Sequence, residues 1–98
     1  MTVKLYFSSV SGKTEIKKQQ NFIRQTLSSA EIDFEEIDVS NPHCEDDKYF
    51  MLEHSKNGKE SSPIPPQLFN DTQYCGDYEA FCEAVEKNSL NEFLHLDD

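Results

Sequence analysis

The sequence predicts a mixed α/β fold, with four strands in one sheet and helices on both faces, and three observations predict it. Residues 3–7 form a β-branched and aromatic run followed at once by a stripe of helical period. A second strand-like run at residues 32–39 comes after that helix, which is the order of a parallel right-handed crossover. Two short runs, Gln67-Leu68-Phe69 and Thr72-Gln73-Tyr74-Cys75, flank an Asn70-Asp71 turn and read as an antiparallel hairpin added to the sheet.

Each element has a local reason. The first strand stops at the small-residue run Ser8-Ser9-Val10-Ser11-Gly12, where a turn is favoured. Ser11 is placed to cap a helix in which Ile16, Gln20, Ile23 and Leu27 recur at helical spacing, and Phe22 and Thr26 widen the stripe. In the second strand Ile32, Phe34, Ile37 and Val39 are the apolar members, and Asn41-Pro42 breaks it. Residues 45–56 read as a helix with acids in its first turn, Phe50, Met51 and His54 on one side, and Asn57-Gly58 as its stop. Asp77 can cap a third helix whose stripe is Tyr78, Phe81, Cys82 and Val85. Ser89-Leu90-Asn91-Glu92 is a capping-box pattern opening a last short helix with Leu90, Phe93 and Leu94.

At 98 residues the chain is one domain, residues 1–98, with a modest core. Acidic residues number 19 against 9 basic ones, a formal charge of -10, which argues against nucleic acid or an anionic membrane as partner because phosphate contacts need Lys and Arg. The bases concentrate early, at Lys4, Lys13, Lys17, Lys18 and Arg24, and from Asp71 onward Lys87 is the only one. Met1-Thr2-Val3-Lys4 leads straight into a strand with no apolar leader, and no run of about eighteen apolar residues occurs. Cys44, Cys75 and Cys82 are too few and odd in number for a disulfide framework. The expectation is a cytoplasmic protein, small enough to enter the nucleus as well.

The element order, with a proline before the third strand and a glycine before the third helix, is the layout of the thioredoxin-like fold in its glutaredoxin form. Pro65-Pro66-Gln67-Leu68-Phe69-Asn70, Tyr74-Cys75-Gly76-Asp77-Tyr78-Glu79, Glu83-Ala84-Val85-Glu86 and Glu92-Phe93-Leu94 closely resemble the SH3-domain-binding glutamic-acid-rich protein family. Ser9-Val10-Ser11-Gly12 with Glu15-Ile16-Lys17-Lys18-Gln19-Gln20 is similar as well, so the resemblance covers the whole chain. It implies a short member without the Glu-rich tail that names the family. It also implies that Pro66 corresponds to the cis-proline facing a glutaredoxin active site, and Gly76 to the glycine beside the place of glutathione's carboxylate.

In glutaredoxins the junction of first strand and first helix holds Cys-x-x-Cys, where the helix N-terminus stabilises a thiolate. Here it is Ser8-Ser9-Val10-Ser11-Gly12, and a serine cannot form the mixed disulfide, so dithiol oxidoreductase activity is expected to be absent. Ser9, Ser11, Gly12, Pro66, Gly76 and Asp77 then outline a groove that has lost its nucleophile. With that cysteine missing and Asp77 and Glu79 opposing an anion, no cofactor is expected.

Pro63, Pro65, Pro66 and Phe69 admit two readings. As Pro63-x-x-Pro66 the segment suits an SH3 domain, and as Pro65-Pro66-x-x-Phe69 an EVH1 groove. Alternatively it is a structural strand entry, in which a cis bond before Pro66 would be incompatible with polyproline II. Cys75 reads either as a single thiol activated by the third helix or as a packed small hydrophobe. Cys82 falls on an apolar stripe, and Cys44 has the acidic neighbours Glu45 and Asp46. His43, Cys44, His54 and His95 match no closed zinc spacing, and Gly12-Lys13-Thr14 lacks the upstream glycine of a phosphate loop. Two functions follow: a non-enzymatic adaptor or modulator that binds proteins of the SH3 or EVH1 class, and, in another class, a weak monothiol or glutathione-linked redox protein using Cys75.

Overall fold

The central pair of strands is buried on both sides. In the computed structural model, which describes residues 2–10, 12–55 and 64–96, β1 (Val3–Phe7), β2 (Phe34–Asp38), β3 (Gln67–Asn70) and β4 (Gln73–Asp77) form one sheet in the order β2-β1-β3-β4. β1 is parallel to β2 and antiparallel to β3, and β4 is antiparallel to β3. This is the mixed sheet that the crossover and hairpin patterns predict.

Because side chains alternate along a strand, β1 and β3 each feed two cores. Val3, Leu5 and Leu68 pack on one face with Ile23 and Leu27 of α1 (Thr14–Ser29), Phe81 of α3 (Tyr78–Glu86) and Leu94, just past α4 (Leu90–Phe93). Tyr6 and Phe69 pack on the other with Val39 and with Met51 of α2 (Glu45–His54). Leu5 and Leu68 are partners in register, both fully buried. Each such side chain contributes about 1.5–3 kcal/mol by leaving water. On the α2 face the rings of Tyr6, Phe50 and Tyr74 close around Phe69, with centroids 5.0–5.3 Å from it.

Several element ends differ from the sequence expectation, for reasons of backbone geometry. α1 begins at Thr14 with Lys13 in the N-cap place and no side-chain cap, and Ser11, the expected cap, lies outside the described residues. α1 closes with Glu31 in the left-handed region (φ 58°), Glu31 N donating to Ser28 O and Ile32 N to Leu27 O. That Schellman closure uses Ile32, so β2 starts only at Phe34. α3 ends the same way through Asn88 (φ 55°) and α4 through His95 (φ 58°). The capping box at Ser89 does not form: the α3 closure turns the Ser89 amide and hydroxyl back to the Ala84 carbonyl, at 2.8 and 3.5 Å. A 3-10 turn, Pro42–Cys44, leads into α2, whose last residue is His54; the stop expected at Asn57-Gly58 lies outside the described residues.

The hairpin turns at Asp71-Thr72, one residue later than the sequence suggests, because Asn70 pairs with Gln73. Asn70 is buried, and its Nδ2 donates to the carbonyls of Leu94 (2.8 Å) and His95 (3.2 Å), tying β3 to the end of α4. Asp71 holds the chain start: its amide donates to Thr2 O and its Oδ1 accepts from Thr2 N.

A non-glycine residue in the left-handed region costs about 1–2 kcal/mol, part of which glycine regains. Glu31→Gly is therefore expected to raise stability by about 0.5–1 kcal/mol in urea unfolding. Phe69→Ala is expected to lower it by about 3–5 kcal/mol in the same measurement.

Candidate functional site

One end of the sheet gathers the residues that the sequence marks. β1, β2 and β4 finish there, β3 starts there, and α1 and α3 begin just beyond. The β1–β3 register pairs Tyr6 with Gln67, so Pro66 follows beside Phe7, where β1 gives way to Ser8 and Ser9. The Pro65–Pro66 peptide is cis and Pro66 is buried.

The loop after β1 is held by hydrogen bonds at Ser8 and Ser9. Ser9 is exposed, and its Oγ donates to Asp38 Oδ2 at 2.5 Å. Asp38 also accepts from the Ser9 amide (3.2 Å), the Ser40 amide (3.0 Å) and Ser40 Oγ (2.5 Å). Burial alone would raise the Asp38 carboxyl, but the hydrogen bonds from Ser40 and Ser9 outweigh it and hold the group below its ordinary value. One residue earlier, Ser8 N donates to Gln20 Oε1 (2.9 Å) and Gln20 Nε2 donates to Ser8 O (3.2 Å). Gln20 is nearly fully buried, so its carboxamide fixes this loop from inside α1. A cleft of about 270 Å³ lies here, between Phe7, Ser9, Lys17, Gln20 and Arg24. Arg24 sits 4.7 Å over the Phe7 ring and pairs with Glu36.

The proline segment is split between surface and interior. Ile64 is 59% exposed and Pro65 half-buried, whereas Pro66, Leu68 and Phe69 are buried. Pro63 lies outside the described residues. Gln67, also buried, donates through Nε2 to Ile64 O (2.8 Å) and accepts at Oε1 from Tyr74 Oη (2.8 Å). Burial, then Asp77 and Cys75, push the Tyr74 phenol up to about 12, so it remains a donor to Gln67.

Gly76 and Asp77 end β4 at the same end of the sheet. A Cβ at Gly76 would come within 2.7 Å of Phe93 Cε1 and 2.9 Å of Ala80 Cβ, so close packing of α3 and α4 requires the glycine. Asp77 caps α3, its Oδ1 accepting from Ala80 N at 3.0 Å. Both line a second cleft, of about 340 Å³, with Tyr74, Cys75, Glu79 and Ala80. Ser9 lines the first cleft, and Gly76 with Asp77 the second. Gly12 is exposed, with open space where a Cβ would stand, and Ser11 is outside the described residues.

Cys75 sits half-buried in β4, with its Sγ 3.9 Å from the Gln73 carbonyl. Burial pushes its thiol up to about 11, with a backbone hydrogen bond at Asn70 acting the other way. Among the described residues no three His, Cys, Asp or Glu side chains gather as a metal ion would need, and no helix is long and apolar enough to cross a membrane. Sequence reasoning missed Asp38, Gln20 and Gln67. The only signal for the two glutamines was a polar residue inside an otherwise apolar stripe or strand.

Residues 1–97 match the family described as SH3-binding, glutamic acid-rich protein. The chain is 42% identical over 103 residues to the SH3 domain-binding glutamic acid-rich protein homolog of Drosophila melanogaster, an alignment covering 98% of this chain and 65% of that protein. It therefore spans about two thirds of the relative's length. Of solved structures it is similar to the C. albicans actin interacting protein Aip5, with a TM-score of 0.75 and 24% identity over 95% of this chain and 87% of that one. A structure of wild-type actin interacting protein 5 gives a TM-score of 0.72 and 19% identity over 95% and 96%. Those likenesses show a shared fold, and the four-stranded sheet of the chain is consistent with a thioredoxin-like one.

Asp38 gives a pH signature. With its folded pKa depressed, its contribution is complete above the unfolded value of about 3.9 and is lost as pH falls through the folded one. Asp38→Asn is expected to lower stability at pH 7, with the deficit closing below that range in urea titrations at several pH values. At pH 8 Cys75 is expected to alkylate with iodoacetamide about a hundredfold more slowly than an ordinary thiol, as peptide mapping by mass spectrometry would record.

Proposed function

The chain belongs to the SH3-binding, glutamic acid-rich protein family, and on that premise we propose that it acts by binding other proteins, as a non-catalytic adaptor or modulator. The contact lies at the sheet end where the Ser9-Val10 loop and the Ile64-Pro65 segment approach the same edge. What carries this reading is the split of the proline segment. Pro66 and Phe69 are built into the interior, while Ile64 and, on the neighbouring loop, Val10 leave large apolar side chains at 59% and 76% exposure. Exposed apolar groups in a strongly charged surface mark a place where a partner gains by covering them.

The Pro63-x-x-Pro66 form of SH3 docking needs Pro66, which is buried, so an SH3 domain would engage the exposed Ile64 and the half-buried Pro65 beside it while Pro66 stays in place. The EVH1 alternative needs Phe69, which is enclosed by Tyr6, Phe50 and Tyr74. The redox alternative needs a thiolate, which the burial of Cys75 opposes. The two solved neighbours are named for interacting with actin, and at 24% and 19% identity that property remains theirs.

Titration of a panel of SH3 domains against the intact protein and against the peptide 60–71 tests the proposal. Intact protein is expected to bind at least one of them, and Val10→Asp to weaken that binding about tenfold, as expected when an apolar contact of about 1.4 kcal/mol is lost. The peptide lacks Val10 and serves as the reference. If the peptide binds and the intact protein does not, the segment is committed to the fold and the SH3 assignment fails.

A further inference from the structure

We infer that Asp38 is the positioning residue of the binding edge: its carboxylate holds Ser9, and through Ser9 it sets the direction in which Val10 is presented to a partner. This role rests on the binding reading given above and names what shapes that contact. Asp38 is the last residue of β2 and stands in register with Phe7, the last residue of β1. Val39 N donates to Phe7 O at 2.8 Å, so the two chains stay clamped just past Asp38. A carboxylate carried on a paired strand is a rigid anchor for a loop that leaves the neighbouring strand.

The two carboxylate oxygens are used differently. Oδ2 accepts from the Ser9 hydroxyl at 2.5 Å, whereas Oδ1 accepts from the amides of Ser9 and Ser40 and from the Ser40 hydroxyl. Ser9 is thus held by its backbone and its side chain together. One residue earlier, Gln20 engages both backbone groups of Ser8. Two consecutive residues, one tied to α1 and the next to β2, fix the chain immediately before Val10, which is 76% exposed. A side chain so exposed takes its direction from the backbone that carries it.

On a loosely held loop Val10 would occupy the arrangement a partner needs for only a fraction of the time, and the apparent affinity falls by that fraction. Asp38 raises the fraction toward one. Its effect differs in kind from that of Val10. Loss of Val10 removes a contact and speeds dissociation, while release of Ser9 leaves every contact available and slows association. Ser40 supplies the internal comparison, because its hydroxyl reaches the same carboxylate at the same 2.5 Å but follows β2 and does not carry Val10.

Association and dissociation rates are measured by surface plasmon resonance with the intact protein and an SH3 domain that it binds. Ser9→Ala and Asp38→Ala are each expected to weaken binding about tenfold, chiefly through slower association, and the double variant no further. Ser9→Thr keeps the hydroxyl, and Asp38→Asn keeps Oδ1 and places a donor where Oδ2 stood, which the Ser9 hydroxyl can accept; both are expected within about threefold of wild type. Ser40→Ala should lower stability in urea as much as Ser9→Ala does, yet leave affinity within about twofold. Unchanged affinity in Ser9→Ala would overturn the assignment. So would additive losses in the double variant, which make Ser9 a direct contact, or equal weakening in Ser40→Ala, which makes the effect one of stability alone. Should Asp38→Ala not fold, Ser9→Ala against Ser40→Ala and Ser9→Thr still decides. Wild-type protein that binds no SH3 domain sinks the binding reading and this role with it, a result distinct from wild-type binding that Ser9→Ala leaves intact.

Discussion

The pairing of β1 with β3 is the constraint on which the rest of this structure depends. Leu5 and Leu68 face each other at full burial, and the residues that follow them, Tyr6 and Phe69, turn to the opposite face. Because strand side chains have a period of two, a slip of one residue would exchange both cores at once, so the register admits no neighbour. That register also decides where Pro66 stands. With Gln67 opposite Tyr6, the proline arrives beside the end of β1, and the loop from Ser8 to Val10 and the entry to β3 become two sides of one edge.

Around these cores the protein uses buried carboxamides to hold its irregular segments. Gln20 engages both backbone groups of Ser8, Gln67 joins Ile64 to Tyr74, and Asn70 reaches the carbonyls that end α4. A carboxamide is suited to this because it both donates and accepts while carrying no charge to desolvate. The three together fix the serine loop, the proline entry and the final helix against the sheet. After β1 and β2 the hydroxyls of Ser9 and Ser40 gather on the Asp38 carboxylate. Burial pushes the Cys75 thiol in β4 away from ionisation.

The division of labour along the proline segment follows from the same packing. Phe69 lies among three aromatic rings because β3 must fill the α2 face, and Pro66 is buried because it leads into that strand. Ile64, only two residues earlier, remains in water. A motif that reads as one continuous ligand is thus part core and part surface.

The sequence by itself determined the elements and their order. Period-two runs at residues 3–7 and 67–69, helical stripes at Ile23, Leu27 and Phe81, and the Asp77 cap are local signals, and each appears in the structure. It did not contain the ends of α1, α3 and α4, where Glu31, Asn88 and His95 take left-handed conformations that glycine usually signals. Nor did it contain the partnership of Ser9 with Asp38 and Ser40. Those depend on contacts between residues about thirty positions apart or more, which exist only once the sheet has brought strand ends together. Local pattern records what a segment prefers, and tertiary packing alone decides which polar groups must satisfy one another when water is removed.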